Sequence, residues 1–468
     1  MFQSCVTLVR EKCRKRISVW AASTAFGMCA AGWGILMLGG CQPAKPGDKA
    51  PKLDGIVLFI SDGTSQELIS VARYYSQGAR GRLALEEMAH SAFVRTPSAN
   101  SLVTDSSAAA TAIARGIKVV NGVVGKASAT DPGNAPSILD LARKAGWSTG
   151  VVSDDSLTGA TPASFLVENN ARSDNYGIAE KIADQLGKRA DVALGGGSRY
   201  FTDDVDNPAV FYFPGARRQS QRVEEKLREN GVRIFKDWDA LKEYAARPDD
   251  RPVIGLFAPG AFSYYVDGDR TLRLKDMVEQ AVAILRAKNR PFFLMVEAGL
   301  PDKACHQNQA KRAITEVLEL DAAIDWVRKN LPNVLVLATT DHNTAGLTFN
   351  GYPPIGARGE ALLGPDPSNQ RPILTWASGP GFDRKNTRTI IAQDPGKPWR
   401  EVIEQRTPSN PHYRQPALIE GRAALHSGGD VWLLADGPGA EKVHGYVENT
   451  DIFRLMAEAI EGTTRPSP

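Results

Sequence analysis

Short apolar runs recur along the chain at 55–60, 148–152, 192–194, 253–257, 292–296, 334–338 and 431–434. They lack the alternation of a strand with one wet face, so each predicts a strand buried on both sides. Between most of them apolar residues return at helical spacing, over 138–145, 222–230, 277–287 and about 310–329. This alternation predicts an α/β fold: a mostly parallel central sheet flanked by helices on both faces. Two stretches break the rhythm. Residues 202–220 read as irregular, and 345–425 are rich in Pro, Gly and Arg with weak periodicity. The second is too long for a simple loop and predicts an inserted cap. Residues 53–462 then form one domain, and 463–468 a frayed tail.

The start of the chain reads differently. Arg10, Lys12, Arg14, Lys15 and Arg16, opposed only by Glu11, precede an apolar stretch over 17–38 that ends Leu38-Gly39-Gly40-Cys41. A basic start, an apolar middle and small residues before a cut form a secretory signal. Leu-Gly-Gly-Cys also resembles the bacterial lipobox, in which the cysteine is lipidated. The expectation is therefore a signal peptide over 1–41, a Pro- and Lys-rich tether over 42–52, and an exported domain, periplasmic or at the cell surface, held to the membrane by lipid on Cys41. The alternative is an uncleaved N-terminal helix, since about 20 apolar residues can span a bilayer. Without those first 40 residues, the chain has 51 basic and 52 acidic residues. Such balance gives no electrostatic footprint for nucleic acid. Of five cysteines only Cys305 lies beyond Cys41, so the domain can form no internal disulfide.

In open parallel sheets, ligands bind beyond the carboxyl ends of the strands. Asp62 follows the first apolar run, Glu297 the fifth, and Asp341 with His342 the sixth. His426 precedes the final run and so falls near a strand start. Asp302 and His306 are four apart, on one face of a helix, and suit Zn²⁺, which takes nitrogen and oxygen ligands. Cys305 points about 100° away from His306 and reads as a packed thiol. Ser106 opens a helix of small residues, where free N–H groups and a positive dipole end favour a phosphoryl group. A plain N-cap serine is the alternative reading.

Thr104-Asp105-Ser106-Ser107-Ala108, with Gly116 and Asn121-Gly122 beyond it, resembles the nucleophile segment of alkaline phosphatases. Further motifs resemble that family in order, across about 55–460. They are Ile60-Ser61-Asp62-Gly63; Gly159-Ala160-Thr161-Pro162-Ala163 with Arg172; Glu297 followed by Asp302, Lys303 and His306; Thr340-Asp341-His342; and His426-Ser427-Gly428. The resemblance implies hydrolysis of phosphate monoesters through a phosphoseryl intermediate on Ser106, with two Zn²⁺ and one Mg²⁺. It implies Asp302, His306 and His426 for one zinc. Asp62, Asp341 and His342, joined by Ser106, would hold the other. Asp62, Thr161 and Glu297 would hold magnesium, and Arg172 and Lys303 the phosphate. The family is often homodimeric.

One position departs from the pattern. Two residues before Thr161, family members commonly carry Asp or His, which steadies the magnesium waters and pairs with the residue at Lys303. Here it is Gly159. Weaker magnesium binding and a less restrained Lys303 are expected, unless Asp154 or Asp155 compensates. Related phosphodiesterases typically lack the magnesium ligands that Thr161 and Glu297 supply here. Sulfatases need Cys/Ser-x-Pro-x-Arg, which Ser106-Ser107-Ala108-Ala109-Ala110 is not. A binding protein that keeps the site without turnover is a further alternative. Gly195-Gly196-Gly197 lacks the Gly-Lys-Ser/Thr ending of a P-loop and reads as a tight turn.

Overall fold

A computed structural model describes residues 53–126, 135–202, 214–383 and 408–464. The signal, the tether and the last four residues lie outside them.

Ten strands form one sheet in the order β15-β2-β14-β8-β1-β7-β3-β4-β6-β5. In chain order these are β1 (Gly55–Ser61), β2 (His90–Arg95), β3 (Ser148–Ser156), β4 (Val192–Gly196), β5 (Arg233–Phe235), β6 (Val253–Leu256), β7 (Phe292–Ala298), β8 (Val334–Thr339), β14 (Val431–Asp436) and β15 (His444–Glu448). Strand β14 runs antiparallel to both β8 and β2, whereas the pairings among the others are parallel. The sheet is thus mostly parallel, as its apolar runs predict.

Strand β1 shows why those runs are continuous. Val57 and Phe59 pack into a core on one face, with the helices Leu274–Arg286 and Ala310–Asn330. Ile56, Leu58 and Ile60 pack into a second core on the other face, with Ile138–Lys144, Asn175–Gln185 and Asn449–Thr464. Successive strand residues point to opposite faces, so a strand covered twice must be apolar throughout. Among the described residues no helix is long and apolar enough to cross a membrane.

The register places the chemistry. Ile60 pairs with Glu297 of β7 and Thr339 of β8, and Glu297 in turn pairs with Ser153 of β3. The carboxyl ends of four neighbouring strands therefore come out level. The reversed β14 solves the apparent misplacement of His426, because the start of an antiparallel strand lies at the same edge as its neighbours' ends.

The helix Pro214–Glu229 occupies part of the stretch expected to be irregular. The final helix runs to Thr464, through the first residues of the expected frayed tail. Strand β9 (Asn343–Thr344) pairs antiparallel with β13 (His426–Ser427), and within 345–425 the described residues build a small three-stranded sheet from β10 (Leu347–Phe349), β11 (Leu374–Gly379) and β12 (Ala417–Glu420). It is anchored beside the site: the Asn308 amide donates to the Ser378 carbonyl at 3.0 Å, and Ala424 N–H donates to the His306 carbonyl at 2.8 Å.

Candidate metal centre and active site

Ser106 is the first residue of the helix Ser106–Arg115. Asp105 caps that helix, accepting from Ala108 N–H at 2.9 Å and from the Ser107 hydroxyl. The same carboxylate accepts from Gly122 N–H at 2.9 Å and pairs with Arg172 at 3.1 Å. One side chain thus caps the start of the helix and holds a guanidinium. Ser106 is buried, and its Oγ lies 3.2 Å from Nε2 of His342.

In their neutral forms, all three site histidines offer Nε2 as a lone pair. His306 Nδ1 faces the Ala424 carbonyl at 2.6 Å, and His426 Nδ1 faces the Thr104 carbonyl at 3.0 Å. A carbonyl only accepts, so each Nδ1 carries the proton. The Thr344 hydroxyl donates to Asp302 at 2.5 Å, which leaves its oxygen to accept from His342 Nδ1 at 3.2 Å. Fixing the tautomer through the outer nitrogen is how metal-ligating histidines are held.

The inward atoms then lie at coordination spacing. His306 Nε2 is 3.2 Å from His426 Nε2 and 3.2 Å from Asp302 Oδ2. Two ligands sharing a tetrahedral zinc at about 2.0–2.1 Å stand about 3.3 Å apart. Around the second position, His342 Nε2 is 3.3 Å from Asp341 Oδ2 and 3.6 Å from Asp62 Oδ1. Asp302 bridges the two groups, since its carboxylate also clusters with Asp62 and His342. Asp62 Oδ1, Asp341 Oδ2 and Thr161 Oγ1 are buried without a hydrogen-bond partner. Orphaned oxygens beside lone-pair nitrogens are a donor set that fits divalent cations. Gly63, at φ +67°, lets the backbone pass: a Cβ there would lie 2.6 Å from Asp302 Oδ1.

Without cations the site is electrostatically unfavourable. Burial, together with Asp341, Asp302 and Glu297, pushes the Asp62 carboxyl well above its ordinary value. Burial and Asp302 raise Asp341 to about 7, and burial and Asp155 raise Glu297 to about 8. Burial also opposes ionisation of Asp302, but His306, His342 and His426 outweigh it and hold that carboxyl low.

Glu297 stands outside both ligand groups. Its carboxylate accepts from the Ser153 hydroxyl on the adjacent strand. Thr161 is the second residue of the helix Ala160–Leu166, whose N-cap is Gly159. Of the two outcomes left open for Lys303, compensation is the one found: its ammonium forms an ion pair with Asp155 at 2.8 Å. Asp154 turns elsewhere, accepting from Gly299 N–H at 2.7 Å and approaching Arg270 at 3.6 Å. Cys305 is buried in the core, as its helical position predicts.

Sequence reasoning missed the ordering roles of two residues at this site. Asp105 could have been found, since it precedes a helix start in the ordinary capping position. Thr344 carries no local signal, and only the fold brings it to Asp302.

The chain matches the family model for alkaline phosphatase over residues 54–462. It is 29% identical over 394 residues to alkaline phosphatase 4 of Bacillus subtilis (strain 168), covering 76% of this chain and 77% of that one. It is 28% identical over 459 residues to the alkaline phosphatase of Gadus morhua, covering 87% and 92%. The structure of Thermus thermophilus alkaline phosphatase superposes with a TM-score of 0.64 at 26% identity, covering 89% of this chain and 93% of that one. That of the Antarctic bacterium TAB5 superposes with a TM-score of 0.66 at 24% identity, covering 88% and 99%. With its mixed ten-stranded sheet and its carboxylate-imidazole cluster, this chain belongs to the alkaline phosphatase family and is a phosphoric monoester hydrolase.

Proposed function

We propose that the chain hydrolyses phosphate monoesters by passing the phosphoryl group first to Ser106 and then to water. Ser106 Oγ forms a bond to phosphorus as the ester P–O bond breaks, and the departing alcohol takes up a proton. Water then attacks the phosphoserine, the phosphorus–Oγ bond breaks, and Ser106 regains its proton. The observation that carries this reading is the Ser106 hydroxyl 3.2 Å from an imidazole nitrogen of His342.

Asp302, His306 and His426 would hold one zinc, Asp62, Asp341 and His342 the other, and Asp62, Thr161 and Glu297 a magnesium. Bound there, the cations would acidify the nucleophiles and neutralise charge on the attacking and leaving oxygens. A structure of a TAB5 alkaline phosphatase variant has Mg bound in its M3 site, which supports a third ion. Arg172 keeps one nitrogen on Asp105, and the rest of its planar fork suits two phosphoryl oxygens. Lys303 adds a positive charge at the same place. The small sheet within 345–425 would act as the cap that shapes access.

Assay of the purified enzyme on an aryl phosphate, its diester and its sulfate tests the reaction class. The monoester is expected to turn over at least about a hundredfold faster; a diester turned over as fast would sink the reading.

The first 41 residues would direct export, and lipid on Cys41 would hold the enzyme to the membrane. Cys41→Ala is then expected to release active enzyme into the soluble exported fraction. Persistent membrane attachment of that variant would favour an uncleaved helix instead.

A further inference from the structure

Lys303 has a partner that no family motif supplies. Asp155 lies at the end of β3, where its backbone N–H donates to the Ser153 hydroxyl oxygen at 2.9 Å. The same Ser153 hydroxyl donates to Glu297, so one side chain fixes both acids. Asp155 Oδ1 accepts from Ser156 N–H at 2.7 Å, leaving Oδ2 for Lys303 at 2.8 Å. Gly299 makes room for this arrangement, since a Cβ there would lie 2.9 Å from Asp155 Cβ. A Cβ on Gly159 would lie 3.5 Å from Asp155 Oδ2, an ordinary contact distance. At position 159 there is no side chain to compete for the ammonium.

We propose that Asp155 is the positioning residue for Lys303: it fixes the ammonium beside the phosphate site and partly neutralises it, and so sets how tightly inorganic phosphate is retained. The inference rests on the assignment of Lys303 to the phosphoryl group. A carboxylate in direct contact cancels much of an ammonium's attraction for a dianion. Asparagine at this position keeps a hydrogen-bond acceptor and removes the charge.

The test is calorimetric titration of the metal-loaded full enzyme with inorganic phosphate, for the parent, Asp155→Asn, Lys303→Ala and the double variant. Asp155→Asn is expected to tighten phosphate about fivefold, the scale of a partly exposed ion pair. Asp155→Ala, which also removes the hydrogen bond, should tighten it at least as much. In the Lys303→Ala background the Asp155 effect should vanish. Unchanged or weaker phosphate binding in both Asp155 variants overturns the proposal. So does an Asp155 effect that survives loss of Lys303, because it would then act through the neighbouring acids. If Lys303→Ala alone leaves phosphate affinity unaltered, what fails is the placing of Lys303 at the phosphate, a different and distinguishable result.

Discussion

Ser106→Ala is expected to lower turnover of an aryl phosphate by about 10⁴-fold or more, the scale seen when a nucleophile is removed from an otherwise intact site. The fold should not notice the change. Ser106 starts a helix already rich in alanine, and the cap is made by the Asp105 carboxylate, not by the serine. Metal content should also survive, because the ligand atoms of Asp302, His306, His342 and His426 do not depend on the hydroxyl. Acid-quenched parent enzyme should carry phosphate on Ser106, and the variant should carry none. A variant with normal metal content that keeps more than a tenth of parental activity would remove Ser106 from the reaction path.

Stripping the metals with a chelator is expected to abolish turnover and to leave a protein whose thermal stability falls as pH rises. Asp341 titrates near 7, Glu297 near 8 and Asp62 well above its usual range, each chiefly through burial. In the unfolded chain these carboxyls ionise at about 4. Between about pH 5 and 8 the metal-free fold therefore holds protons that the unfolded chain has released, and stability declines with pH. The raised His306 acts in the same direction: burial and, less strongly, Lys303 oppose its charge, but contact with Asp302 outweighs them. His342, held low chiefly by burial, acts in the opposite direction below its ordinary value. Three acids outweigh one imidazole. Divalent cations remove this part of the penalty, so the loaded enzyme should show a shallower decline, the remainder coming from Glu316, raised to about 8, and Asp154 and Asp321, raised to about 6, chiefly by burial. A chelated protein more stable at pH 8 than at pH 5, by calorimetry, would contradict this electrostatic picture.

The central sheet was legible because strands buried on both faces leave a signal without ambiguity: β1, β3, β4, β6, β7, β8 and β14 all coincide with apolar runs. Strands β2 and β15 left little trace. Every second residue of β2 is exposed or half-exposed, and β15 at the sheet edge is exposed along most of its length. The candidate ligands were legible one by one from their places after strands and from helical spacing. Their convergence was not, because register between distant strands is a tertiary property. His426 illustrates this, since nothing local announces that β14 runs backwards. The Lys303 partner was legible only as a choice between Asp154 and Asp155. Adjacent strand residues point opposite ways, and the structure turns Asp155 to the ammonium and Asp154 to Arg270.

The reversal of β14 also fixes when the enzyme can come into being. The clustered carboxylates and imidazoles are drawn from position 62 to position 426, and His426 lies just ahead of the strand inserted between β8 and β2. A nascent chain that has already emitted Ser106 and Asp302 still lacks one imidazole until nearly all of it has left the ribosome. A chain ending before His426 lacks that imidazole, β14 and the final helix alike, so it should be inactive, and activity should depend on the completed chain rather than arrive by degrees.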